Sequence, residues 1–255
     1  MSSAWKITRP QIDQFLDALI HRFEVFAPAQ KSTQYVFKKI DTSGEAVLNY
    51  NTTILTPKKN LKTHHQTLCD YSAPGAGVAM SSLDTTPRVI FGLHTYDLHG
   101  IDVLKKVFYG EEQPDPYFMA MYDRTYLIGI DHPDDDFKFD HDLKSDGLNC
   151  EYDLFLANYG AGFLLIQGRE KGRDLLPDFI ANSEPVSDAE LNKYMKQRDT
   201  DLKKKPQKLL ADVDEFPVIF PAVQESSIWQ EEANRCFSCG SCNTTCPTCY
   251  CFDIR

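Results

Sequence analysis

An α/β domain with a mixed sheet, followed by a separate cysteine-rich tail, is the fold class this sequence predicts, with an α+β arrangement as its near variant. Three observations carry that reading. Compact, β-branched apolar runs recur at Arg88–Leu93, Thr125–Ile130, Tyr152–Asn158 and Phe163–Gly168. Stretches with helical spacing fall between and around them, the alternation expected of an α/β core. Six of the eight cysteines then crowd between Cys236 and Cys251, where no apolar run remains to build a second large core.

The elements follow in order. Thr8-Arg-Pro-Gln opens like a helix, with a Thr N-cap and Pro10 near the first turn. Ile12, Phe15, Leu16, Leu19 and Ile20 continue at helical spacing, so residues 9–22 are predicted as an amphipathic helix. Phe23–Pro28 reads as a short strand ending at its proline, and Tyr35–Ile40 as a second one before an Asp41-Thr-Ser-Gly turn. Residues 56–67 are basic and polar (Lys58, Lys59, Lys62, His64, His65) and read as an exposed face. Residues 72–88, with Pro74, Gly75, Gly77 and Pro87, read as a loop. The runs at 88–93 and 125–130 suit buried strands, with a short helix at 102–108 between them. A Tyr159-Gly-Ala-Gly turn joins the last two strands, and helical character returns over 172–180. Residues 181–216 are polar and lysine-rich and predict a solvated helix and linker leading away from the core. Phe216–Pro221, bounded by prolines, reads as an extended tether. The domain boundaries expected are therefore 1–215 for an α/β docking body and 216–255 for the tail.

Composition removes several function classes. Asp plus Glu is 37 against 27 for Lys plus Arg, a formal net charge of −10. Nucleic-acid or anionic-membrane binding needs an excess of cations to displace counterions, so neither is expected. An acidic surface is compatible with docking to basic faces of partner proteins. No window approaches the roughly 18 uninterrupted apolar residues of a membrane span. Met1–Pro10 lacks the apolar core of a secretory signal, so a cytoplasmic location is the expectation. A secreted disulfide framework would spread its cysteines across the fold, whereas Cys69 and Cys150 stand alone and the other six are packed together.

The tail carries the chemistry. Ser227 reads as a helix N-cap with Gln230 completing a capping box. Cys236-Phe-Ser-Cys-Gly-Ser-Cys-Asn-Thr-Thr-Cys-Pro follows. This is C-x₂-C-x₂-C-x₃-C-P, the bacterial ferredoxin run for a [4Fe–4S] cluster. A cubane needs thiolates that converge on one side of a tight turn. Two-residue gaps let Cys236, Cys239 and Cys242 wrap three irons, Gly240 lets the backbone approach, and Pro247 turns the chain away. In two-cluster ferredoxins the cysteine before the proline serves the other cluster. The fourth ligand is therefore open among Cys246, Cys249 and Cys251. Structural zinc sites favour two separated pairs rather than overlapping knuckles, which sets a zinc module below iron–sulfur. One [4Fe–4S] cluster is expected, and the tail is read as ferredoxin-like.

The run Cys246-Pro-Thr-Cys-Tyr-Cys-Phe-Asp resembles the iron–sulfur beta subunits of sulfhydrogenases (NiFe hydrogenase/sulfur reductases) and the corresponding iron–sulfur component of anaerobic sulfite reductases. Glu24-Val-Phe-Ala-Pro, Tyr50–Lys59, Val89-Ile-Phe-Gly with Tyr96-Asp-Leu, and Asp115-Pro-Tyr-Phe resemble the same family in the same order, so the likeness covers most of the chain. It implies a non-catalytic electron-transfer subunit between a flavoprotein, which handles nicotinamide, and a catalytic hydrogenase or sulfite reductase subunit. The family continues into a second four-cysteine motif, while this sequence stops at Arg255. A second cluster is expected only if the chain is truncated or a partner completes it. Family members also carry cysteines near the positions of Asp97 and His132, where this chain has none, so no accessory cluster is expected there.

The remaining candidates are weaker. Asp131, His132, Asp134, Asp135, Asp136, Asp140, His141 and Asp142 form an acidic patch. Mg²⁺ or Ca²⁺ could use such oxygens, but the calcium-loop glycine and glutamate are missing, and a solvated loop is the preferred reading. Cys69 and Cys150 read as packing thiols, and Trp229 and Phe237 as a shield around the cluster. Two rival functions stand beside electron transfer: a free-standing flavin-dependent reductase, and a structural zinc-binding interaction module.

Overall fold

The computed structural model describes residues 3–63, 65–70, 79–110, 112–133, 135–180 and 183–251. His64, Asp134 and residues 72–78 of the loop expected at 72–88 lie outside them. The chain runs β1 (Ala4–Ile7), α1 (Arg9–Ile20), β2 (Glu24–Lys31), β3 (Gln34–Lys39), β4 (Cys69–Asp70), β5 (Ala79–Met80), β6 (Arg88–Leu93), α2 (Thr95–Phe108), α3 (Pro116–Asp123) and β7 (Thr125–Ile130). It continues with β8 (Leu154–Tyr159), β9 (Gly162–Gln167), α4 (Leu176–Ile180), β10 (Glu184–Pro185), α5 (Asp188–Leu202), α6 (Phe216–Ala222), α7 (Ser227–Arg235) and α8 (Ser241–Thr245).

Eight strands form one mixed sheet in the order β10-β1-β9-β8-β7-β6-β2-β3, and β4 and β5 make a separate small ladder. The centre is parallel: β2 pairs with β6, β6 with β7, and β7 with β8. The flanks are antiparallel, through β2–β3 on one side and β8–β9, β9–β1 and β1–β10 on the other. The central strands are buried on both faces, which is why they read as continuous apolar runs. Alternate residues serve two cores. Val89, Phe91, Ile128, Ile130, Leu154 and Leu156 pack with α1. Ile90, Leu127, Phe155 and Ala157 pack with α2 and α3. The expected α/β class with a mixed sheet is what the chain forms.

Local chemistry explains the element ends. The Thr8 side chain caps α1, and the Gln11 side chain accepts from the Thr8 amide at 2.7 Å. Asp115 caps α3 by accepting from the Tyr117 and Phe118 amides, with Pro116 in the first turn. β2 does not stop at Pro28. It pairs on with β3 as far as Lys31, because the Pro28 ring, in place of an N–H, lies on the β6 side against Gly92, beyond the last β2–β6 pair at Phe26, and takes no bond from β3. At Gly92 the β6–β7 register shifts, φ is +82°, and an added Cβ would sit 3.0 Å from the Pro28 ring. Only glycine accommodates that bulge.

Four expectations fail. Residues 216–222 are a helix, not an extended tether. Asp212 and Glu215 form a capping box on the preceding 3₁₀ turn, and Pro217 occupies the first helical turn, where its missing N–H costs nothing. α7 is capped by Ser226 rather than Ser227. α5 is a polar helix, but it returns to the core, with Leu191, Tyr194 and Met195 packed against the α2 face. The acidic stretch is not freely solvated: Arg198 pairs with Asp131 at 2.6 Å, His132 with Asp140 at 3.1 Å, and Asp142 accepts the Lys208 and Leu209 amides at 2.7 and 2.8 Å. These bonds tie the β7–β8 connection to α5 and the segment beyond it. No helix among the described residues is long and apolar enough to cross a membrane.

Candidate iron–sulfur centre

All six tail cysteines reach the surface region. Cys236, Cys239, Cys242, Cys246 and Cys251 are exposed and Cys249 is half-buried. Cys236 caps the C-terminus of α7. Ser238 at φ +55° and Gly240 at φ +72° reverse the chain, and Gly240 starts α8, which carries Cys242 and ends at Cys246. The Ser238 amide donates to the Cys236 sulfur at 3.4 Å, a backbone N–H directed at a prospective ligand. The Cys239 thiol sits 3.2 Å from the Ser241 hydroxyl, whose bond, with the Ser241 amide, lowers its pKa. At Cys246 partial burial opposes ionisation, but bonds from Thr248 and the Cys249 amide and the charge of Lys58 outweigh it and the pKa falls. Lowered thiol pKa favours the thiolate, which is the ligating form.

Among the described residues, no three His, Cys, Asp or Glu side chains converge tightly enough to hold a metal ion. The donor set nevertheless fits an iron–sulfur cluster in type and number. The hydrogen bonds of the exposed thiols, among the described residues, are to neighbours one or two residues away in the chain. Cys69 and Cys150 are half-buried and join no such group. Burial pushes the Cys150 thiol up to about 12, which suits a packing residue rather than a ligand.

The segment is fastened to the α/β body by residues that sequence reasoning left on an exposed face. Thr56 caps a 3₁₀ turn, Pro57–Asn60, that buries Lys58 to 8 % exposure. The Lys58 ammonium donates to the backbone carbonyls of Asn243 at 2.7 Å, Cys246 at 2.6 Å and Cys249 at 3.0 Å. Lys62 donates to the Tyr250 carbonyl at 2.7 Å and lies over the Phe108 ring at 4.8 Å. Burial, then the charge of Lys58, lowers the Lys62 pKa. Tyr250 meets Phe108 edge-on, with ring centroids 6.4 Å apart.

A family model for a 4Fe-4S dicluster domain matches residues 192–249, from within α5 to Cys249. The cysteine-bearing end of the chain is thus similar to a 4Fe–4S dicluster domain. Over 250 residues it is 26 % identical to sulfhydrogenase 2 subunit beta of Pyrococcus furiosus, a similarity spanning 98 % of this chain and 73 % of that protein. The resemblance drawn from the cysteine run and the scattered N-terminal motifs is thus a similarity of the whole chain.

Within this segment Pro247 turns the chain away after the last motif cysteine and lands on α2. A Cβ added at Gly100 would stand 2.6 Å from the Pro247 Cβ and 3.2 Å from its carbonyl carbon. Glycine in a helix interior ordinarily costs about 1 kcal/mol relative to alanine. Here its absence of a side chain is what admits the tail. Gly100→Ala is therefore expected to leave the thermal unfolding of the body unchanged or slightly raised, while residues 241–251 become faster to cleave in limited proteolysis. Unaltered cleavage there would show that the tail does not rest on α2.

Trp229 and Phe237 do not enclose the cysteines as expected. Trp229 is half exposed and donates its indole N–H to the Val223 carbonyl at 2.6 Å, and Phe237 is 92 % exposed. A polar cluster missed entirely by the sequence lies at the C-terminal ends of β6 and β7. His94 stacks on Tyr50 at 4.0 Å, its Nδ1 meets the Tyr96 hydroxyl at 2.7 Å, and its ring is 4.8 Å from that of His132. Burial holds His94 well below its usual pKa and raises Asp97 to about 7, against the opposing pull of the His94 amide, Lys138 and Thr56. Histidine and aspartate at strand ends were the available signal, but the Asp97 position was weighed only as one where the resembled family carries a cysteine, and His132 was read as part of an acidic patch.

Proposed function

We propose that this chain is an iron–sulfur electron-transfer subunit of a hydrogenase-type multisubunit oxidoreductase. It would relay electrons between a flavoprotein and a catalytic hydrogenase or sulfite reductase subunit. The observation that carries the reading is the 2-2-3 cysteine run, held at the protein surface on a segment clasped to a folded α/β body. Cys236, Cys239 and Cys242 would hold the cluster, with the fourth ligand from Cys246, Cys249 or Cys251. A bound [4Fe–4S] cluster supplies one-electron uptake and release.

The chain's own residues then have three tasks. The thiolates hold the cluster, the body of residues 1–215 fixes where the segment 216–255 sits, and the surface beside the cysteines meets a partner. Val218 at 75 %, Phe220 at 54 %, Trp229 at 50 % and Phe237 at 92 % exposure stand on or next to the helices flanking the run. Apolar side chains concentrated on one segment favour a protein contact over open solvent. Docking there would bring the next redox centre close to the exposed cysteines.

Metal analysis of the anaerobically purified chain tests this directly. One cubane gives about four iron and four acid-labile sulfide per chain, and two give about eight of each. A paramagnetic signal is expected after dithionite reduction. One zinc without sulfide would replace electron transfer with the structural-module reading, and a bound flavin on the isolated chain would favour the free-standing reductase.

A further inference from the structure

Lys58 stands out among the basic residues of the chain. An ammonium has three N–H donors, and all three meet carbonyls of the cysteine segment: Asn243, Cys246 and Cys249. These carbonyls lie in α8, at its C-terminal cap and in the turn beyond it. Burying a lysine head group is costly unless its charge is answered by hydrogen bonds. Three short bonds to carbonyl oxygens answer it, and charge-assisted bonds of this kind are roughly twice as strong as neutral ones. The partners are far apart in the chain, by 185 to 191 residues, so the contact closes the tail onto the body rather than completing a local turn. Thr56 and Pro57 set the 3₁₀ turn that aims the side chain.

We propose that Lys58 is a positioning residue for the iron–sulfur cluster, fastening the backbone of residues 243–249 to the α/β body and fixing a positive charge beside the ligating thiolates. The inference rests on the cluster reading above, but its anchoring half does not need the cluster to be present. Reduction adds negative charge, and a cation held nearby in a partly desolvated site stabilises the reduced form. Lys58 therefore raises the midpoint potential as well as holding the loop.

The test uses the full chain in two arms. In the first, hydrogen exchange is followed over residues 241–251 in cluster-free protein. Lys58→Met is expected to speed exchange there at least about tenfold, the loss of a charge-assisted bond, while Lys58→Arg stays within about threefold of the parent. Lys59→Met is the control, since Lys59 makes no bond to the segment among the described residues. In the second arm, cluster-loaded chain is titrated with dithionite, one electron per cluster, and followed by paramagnetic resonance. Lys58→Met and Lys58→Gln are expected to shift the midpoint potential downward and Lys58→Arg to restore it. Lys58→Gln keeps a polar head in the pocket, so it reads the charge even where Lys58→Met fails to fold. Parent-like exchange in Lys58→Met removes the anchor, and parent-like potentials in both neutral variants remove the charge effect. If the parent chain contains no iron or sulfide, the proposed function falls, and the exchange arm still decides whether Lys58 fastens the tail.

Discussion

Replacing Asp153 with alanine is expected to destabilise the fold by about 3–5 kcal/mol, the cost of breaking a buried ion pair from one side. Asp153 is fully buried at the start of β8. Its Oδ1 accepts from Arg169 Nε at 3.0 Å, and its Oδ2 accepts from Arg169 Nη2 at 2.6 Å and from the Leu127 amide at 2.7 Å. One carboxylate therefore joins β7, β8 and the chain leaving β9. Removing it strands a guanidinium and orphans a buried amide, which alone costs about 1–3 kcal/mol. Arg169 keeps its bond to the Tyr122 hydroxyl at 2.6 Å and is one-fifth exposed, which holds the loss within that range rather than above it. For a chain of this size the melting temperature should fall by roughly 6–20 °C. Asp153→Asn, which keeps the shape and an acceptor, should lose less than half as much. A calorimetric scan of the two variants checks both statements, and equal losses would mean the charge contributes nothing.

The difference between what the sequence disclosed and what it concealed follows sequence separation. The central strands at 88–93, 125–130, 154–159 and 162–167 were legible because burial on both faces leaves a continuous apolar run. α1 was legible because its cap, its proline and its apolar stripe are all local. α3 carried an equally local Asp115-Pro116 start, but it was read only as part of a family likeness. The helix at 216–222 was missed because two prolines outweighed the Asp212–Glu215 capping signal just before them. Lys58 could not have been found this way, since its partners are backbone carbonyls, which carry no residue identity, more than 180 residues later. The ties of Asp131 and Asp142 were hidden for the same reason: a run of aspartates looks solvated until the cation and amides that answer it are brought in from α5 and beyond, whereas Asp140 is answered by His132 within the run itself. The cysteine run was legible because its spacing is the ligand geometry itself.

That spacing also predicts how the six thiols will differ. Cys239→Ser is expected to abolish cluster binding in the purified chain, with iron and sulfide falling below about one-tenth of the parent value, and Cys236→Ser and Cys242→Ser to do the same. Each of these three lies alone at its point on the turn around Gly240, two residues from its neighbours, so no other thiol can reach its iron. A serine hydroxyl is a poor substitute, because the site selects soft thiolate ligands. Cys246, Cys249 and Cys251 fall within six residues, and loss of one leaves two within reach. Single replacements there are expected to retain between about one-third and all of the iron. The exception is the natural fourth ligand, whose loss should also change the paramagnetic signal. The fold should not register any of these changes. Cys236, Cys239 and Cys242 are exposed, and surface substitutions away from packed features stay within about 0.5 kcal/mol. Far-ultraviolet circular dichroism and the melting temperature of the body should thus match the parent while the colour disappears. This is the reverse of Asp153→Ala, which weakens the fold and leaves the thiols intact. Equal retention of iron in all six single variants would contradict the ligand set, because it would mean that none of the thiols is uniquely placed.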